Sequence, residues 1–131
     1  MPAYDINSTI TVATGITPTD GAAAGASTAS ASVDTRAKEG LTWVVSSGTI
    51  TTGDFTANLE ESDTGAFAGE ETAVPAGEVL GSAVFAVTDD DTTKHIGSIG
   101  KLRHQRLVLA GANTPVGDFA VVAVQGWLRS E

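Results

Sequence analysis

Cysteine is absent from this 131-residue chain. That excludes disulfides, thiolate metal sites and a cysteine nucleophile. Aromatic residues are scarce, at 5%, and Ala, Gly, Ser and Thr dominate instead. Small side chains bury little area each, and burial stabilises by about 25 cal/mol per Å². A free monomer is therefore expected to be only modestly stable, with help from oligomerisation or docking. Long apolar runs are also missing. The longest, FAVVAV at 119–124, is strand length and far short of the ~18 residues that span a bilayer, so no membrane partner is expected. The first ten residues, MPAYDINSTI, carry neither a basic region nor an apolar one, so no signal peptide is expected. Basic residues are few: seven Lys and Arg against sixteen Asp and Glu, for a net charge of −9. Phosphate binding needs a broad basic face, so nucleic acid is not an expected partner.

What is present is a series of strand signals. Residues 9–13 (TITVA) alternate and stop at Gly15. The Gly/Ala/Ser/Thr stretch at 21–32 reads either as a flexible arm or as an edge strand, because Ala29, Ala31 and Val33 alternate with small polar residues. Residues 41–46 (LTWVVS) are β-branched and aromatic. Ser47-Gly48 suggests a turn. After it, Phe55, Ala57 and Leu59 face one way and Thr56, Asn58 and Glu60 the other. Ser62-Asp63-Thr64-Gly65 reads as a hairpin turn, 66–73 as a short return strand, and 83–87 as another strand. Residues 94–99 and 102–110 follow, then a turn at 111–115. The terminal strand, 119–128, has apolar residues on both faces (Phe119, Val121, Trp127; Val122, Val124, Leu128), which predicts a central, covered position. No segment shows a capped helical period. About eight strands with turn signals every 8–12 residues predict an all-β antiparallel sandwich, of jelly-roll type. The predicted organisation is a single domain: an N-terminal strand with a Gly/Ala/Ser-rich arm or edge segment at 1–32, and the sandwich proper at 33–131.

Catalytic and metal-binding motifs are weak. The Asp89-Asp90-Asp91 run could hold a hard cation, but its spacing matches no calcium loop, and the turn reading fits better. His95 and His104 lack the carboxylate partner and spacing of a metal site. Glu60-Glu61 and Glu70-Glu71 could supply a glycosidase pair, yet nothing fixes their separation. No serine sits in a nucleophile elbow, and no glycine pattern forms a phosphate loop. The expectation is a non-enzymatic protein without a metal or cofactor.

One constellation stands out. Four of the seven basic residues, Lys94, Lys101, Arg103 and Arg106, and both histidines fall within 94–106 (KHIGSIGKLRHQR). A basic stripe on an acidic chain suggests a contact surface, so Lys101, Arg103, His104 and Arg106 are the candidate interface residues. In a strand, Leu102, His104, Arg106 and Val108 share one face, and Arg103, Gln105, Leu107 and Leu109 the other. The two arginines then meet different neighbours. The alternative is that they pair only with the chain's own carboxylates.

The chain resembles a family of short tailed-bacteriophage proteins that decorate, or cement, the capsid. The residues that carry the likeness are Asp34-Thr35-Arg36 before the 41–45 strand, Gly48-Thr49-Ile50-Thr51, Gly53-Asp54-Phe55-Thr56, Leu59-Glu60-Glu61-Ser62-Asp63, Ile96-Gly97-Ser98-Ile99-Gly100, and Arg103-His104-Gln105-Arg106-Leu107-Val108-Leu109. They cover roughly 33–124. His104 departs from the pattern, which has an aromatic residue there. The resemblance implies a structural role on the outer virion surface, with the major capsid protein as partner and no catalytic residues. A self-assembled trimer on threefold positions is expected ahead of a dimer on twofolds. The Glu61-Ser62-Asp63 hairpin and the Arg103-x-x-Arg106-Leu107 strand are also similar to galactose-binding jelly rolls. That likeness implies the alternative, a carbohydrate-binding module on the virion.

Overall fold

The computed structural model describes residues 10–19, 27–35 and 40–126. In chain order the elements are β1 (Ile10–Thr19), β2 (Ser27–Ala29), β3 (Val33–Asp34), β4 (Gly40–Ser62), β5 (Thr72–Ala73), a 3-10 turn (Ala76–Glu78), β6 (Val79–Leu80), β7 (Val84–Phe85), β8 (Thr93–Ser98) and β9 (His104–Gly126). Every pairing among them is antiparallel. The protein is all-β, of the antiparallel sandwich type. Arg36, Trp127, Leu128 and residues 21–26 of the Gly/Ala-rich arm lie outside the described residues.

The fold is organised by β4 and β9, each 23 residues long and paired with the other almost throughout. Straight, such a strand would reach roughly 75 Å, far beyond a domain whose radius of gyration is about 14 Å. Both strands therefore bend in the middle, and the sheet folds over on itself. One layer holds β1, the C-terminal half of β9, the N-terminal half of β4, β8 and β6. The other holds the remaining halves of β4 and β9 with β2, β3, β5 and β7.

The bend has a visible cause. The register runs Ser47↔Phe119, Ile50↔Gly117, Thr52↔Val116, Asp54↔Ala112. Gly53 alone thus stands against the three residues Asn113, Thr114 and Pro115. Gly53, Asn113 and Thr114 all have positive φ, at 82°, 60° and 53°. A Cβ on Gly53 would sit 2.5 Å from the Ala112 carbonyl oxygen and 2.6 Å from Pro115 Cα, so only glycine fits. The turns expected at Ser47-Gly48 and 111–115 are instead bulges within continuous strands. Their turn residues bend the chain without reversing it, because the partner strand carries the ladder past each irregularity.

The core lies between the layers. Trp43, Val45, Ile96, Val121 and Ala123 from the first layer meet Phe55, Leu59, Phe85, Leu107 and Leu109 from the second. Phe119 joins them at the bend, its ring 4.7 Å from Phe55 and 5.3 Å from Phe85 between centroids. The expected alternation of Phe55, Ala57 and Leu59 inward holds. β9 is central in the first layer, between β1 and β4, as its apolar sequence predicted, but it is covered on one face only: Val121 and Ala123 are buried, while Val122 and Val124 on the outer face are half-buried. β1 and β2 belong to the predicted 1–32 segment, and both are hydrogen-bonded to β9.

Candidate interaction surface

Among the described residues, Lys101, Arg103 and Arg106 lie toward the end of the sandwich away from the bend, whereas Lys94 pairs across from Val45 beside the bend. Each of the four meets an acid from another element. Arg103, just before β9, reaches Asp34 on β3: its Nε donates to both carboxylate oxygens at 3.0 Å and its Nη2 to Oδ2 at 2.6 Å. That hydrogen bond, helped by the carboxylate's charge, raises the Arg103 pKa. Arg106 stands directly across the ladder from Glu60, with Nε and Nη2 each 2.7 Å from Oε2. The guanidinium also lies over the Phe67 ring, 4.6 Å from its centroid. His104 packs its imidazole against Gly65, where a Cβ would come within 3.3 Å of the ring. Lys101 pairs with Glu78 at 3.0 Å while its side chain stays 82% exposed, and the Glu78 hydrogen bond and charge raise its pKa. Lys94 pairs with Asp89 at 3.4 Å, donates to the Val84 carbonyl and lies over Phe85.

The strand alternation holds for His104 and Arg106, which are half-buried, against buried Gln105, Leu107 and Leu109. Arg103 does not share the inward face of Gln105, because it precedes the strand and its chain turns there toward β3. The loop carrying Lys101 and Arg103 is pinned from within. Buried Glu61 accepts from Leu102 N at 3.2 Å, and buried Gln105 donates to the Gly100 carbonyl at 3.3 Å.

The acidic triplet is occupied by structure. Asp90 Oδ1 accepts from Ile50 N at 2.7 Å, inside the β4 bulge. Asp89 Oδ2 accepts from Ala86 N at 2.9 Å, which holds that carboxyl below its ordinary range, with Lys94 adding to the effect. Asp91 N donates to the Gly48 carbonyl at 3.1 Å. Among the described residues, no group of three His, Cys, Asp or Glu could hold a metal ion.

A second surface was not legible in the sequence. On the outer face of the first layer the ladder places Val12, Val124, Thr42, Gly97 and Leu80 side by side across five strands. The adjoining rows add Ile10 with Gly126 and Gly40, and Thr14 with Val122, Val44 and His95. Val12 is 59% exposed, Leu80 54% and Ile99 52%. Between these aliphatic walls runs a groove of about 400 Å³ floored by Gly40, Gly97 and Gly126. Among the described residues, nothing lies within 4 Å of a Cβ placed on Gly40 or Gly126, so the packing of those residues does not call for glycine there. Glycine within a strand often marks close approach by another molecule. The outer face of an antiparallel sheet is ordinarily polar, whereas His95 is the only ionisable residue in these three rows. A larger cleft of about 680 Å³ lies on the other side of β4, lined by Ala57, Leu59, Val74, Pro75, Val79 and Ile96 among others. It too is mostly apolar, with Asn58 and Glu60 among its lining residues.

These features define an all-β sandwich with an apolar outer sheet face beside an internally neutralised basic end. No family model matches the chain, and no curated protein is similar to it in sequence. Solved structures do share its fold. The PBSX exported protein XepA matches 99% of this chain with a TM-score of 0.60 at 13% identity, and the chain spans 41% of XepA's length. The SPBc2 prophage-derived protein YomS matches 88% of this chain with a TM-score of 0.52 at 14% identity, over 91% of YomS. Both neighbours are phage-derived proteins, and at these identities the likeness is one of fold. Among the described residues, no helix is long and apolar enough to cross a membrane.

Proposed function

We propose that this protein is a non-enzymatic structural component of a tailed-phage virion. In this reading it binds the outer capsid surface as a small homo-oligomer and cements neighbouring major capsid protein subunits. The observation that carries the reading is the apolar, glycine-floored outer face on a chain of net charge −9. Contiguous exposed aliphatic surface of this kind marks a docking site for another macromolecule. The fold shared with phage-derived proteins supports the setting. Each contact is shallow, but repetition over symmetry-related copies multiplies the effect through avidity. Lys101, the most exposed cation of the basic end, is placed to meet carboxylates at the rim of such a contact.

The carbohydrate reading gains no support from the rings of the described residues. Trp43, Phe55, Phe85 and Phe119 are buried and Phe67 lies beneath Arg106, so none of them is displayed for sugar stacking.

The test is addition of purified protein to shells that lack it, followed by imaging of occupancy. Near-stoichiometric binding is expected, and its loss in the doubly substituted Leu80→Lys, Ile99→Lys protein, both sites being exposed. Wild-type protein that fails to bind would overturn the reading. Equal binding by the double variant would remove the apolar face from it.

A further inference from the structure

β1 ends its layer: β9 lies on one side, and no described strand lies on the other. A sheet edge of this kind is a template for another chain, and proteins usually defend it with charges, prolines or bulges. In β1 the defences are confined to the second half. The register slips between Thr14 and Ile16 and again before Thr19, Pro18 follows Thr17, and the Gly15 carbonyl already accepts from Ala31 N at 2.9 Å. The first half is undefended. Ile10, Thr11, Val12, Ala13 and Thr14 pair regularly with Gly126, Gln125, Val124, Ala123 and Val122. None of the five carries a charge, and Ile10 and Val12 are 37% and 59% exposed.

We infer that this half of β1 pairs antiparallel with the same segment of a second copy, centred on Val12. The occupant is a second copy because the contact is isologous: one two-fold pairing closes both open edges at once. A segment without charge also lets two chains of net −9 meet without direct like-charge contact. The two-fold axis of such a pair stands normal to the sheet, so the ladder Val12–Val124–Thr42–Gly97–Leu80 continues into its symmetry mate. The two five-stranded layers become one, and both apolar faces point the same way. The inference holds independently of the shell reading, since it concerns the protein alone in solution.

Sedimentation of the full chain across its soluble concentration range tests this. Wild type is expected to be a dimer. Val12→Lys should raise the dimer dissociation constant more than about tenfold, because two lysines would face each other across the axis, with the circular dichroism unchanged. The cysteine-free background allows a second measurement. Oxidised Val12→Cys should give a disulfide-linked dimer, while Val84→Cys, also exposed but in the other layer, should not. A wild-type monomer, a trimer, or a dimer that survives Val12→Lys while Val12→Cys fails to cross-link would overturn the pairing.

Discussion

Gly53 shows how one residue decides the course of two strands. Its φ of 82° and the 2.5 Å approach of its would-be Cβ to the Ala112 carbonyl leave no room for a side chain. Gly53→Ala combines left-handed strain with overpacking and is expected to cost about 2–4 kcal/mol, read as a lowered urea midpoint. A loss below about 0.5 kcal/mol, the level of an ordinary surface change, would show that the bend does not depend on this contact. Arg106 is the corresponding case among the charges. It joins a cross-strand ion pair with Glu60 to a cation–π contact with Phe67, so Arg106→Ala should cost about 1–2 kcal/mol. Arg106→Lys should recover only part, since an ammonium cannot reproduce the planar fork. Equal stability of the three proteins in denaturant would mean the pair is mere surface decoration. Arg106 belongs first to the molecule's own cohesion, and Lys101 is the better probe of an outside partner.

At the scale of elements, the loop between β7 and β8 acts as a brace for the β4 bulge, and Asp89 in this loop and Glu71 before β5 add a pH dependence to the fold. Asp89 titrates below its ordinary value because Ala86 N and then Lys94 stabilise its charged form. Glu71 does so because of backbone N–H groups at its own position and at Gly69. A depressed folded-state pKa contributes stability above the unfolded value near 4, and that stability is lost as the pH falls through the folded value. The urea midpoint should therefore drop on acidification from about pH 5 to 3, and Asp89→Asn should flatten part of the drop. A midpoint independent of pH over that window would contradict the assignment. Much of this level was legible in the sequence. Alternation at Phe55, Ala57 and Leu59 marked an inward face, and the apolar character of 119–124 marked a central strand. The bulges were not, because Gly, Asn and Pro at a bend look the same as at a reversal until the partner strand is known. The outer apolar face was hidden for a related reason. Its rows take single residues from β1, β4, β6, β8 and β9, so no window of sequence contains it.

For the whole molecule, the distribution of charge separates two ways of holding a partner. A chain of net −9 that docked through its basic end would rely on Coulombic attraction. That attraction weakens as the Debye length shrinks from about 10 Å at 0.1 M salt toward 3 Å at 1 M. Docking through the outer face, where aliphatic side chains frame a glycine floor, is driven by removal of apolar surface from water and carries little salt dependence. It should even be aided by salt that screens repulsion between neighbouring acidic copies. If β1 pairing doubles that face, both halves engage together and the apparent affinity rises through effective concentration rather than through new contacts. Occupancy of shells is therefore expected to hold or increase between low and high sodium chloride. The dimer-breaking Val12→Lys should reduce it more than Lys101→Glu does. The opposite ranking, with occupancy falling steeply as salt rises, would move the docking surface from the valine and leucine rows to the end of the sandwich that carries Lys101 and Arg103.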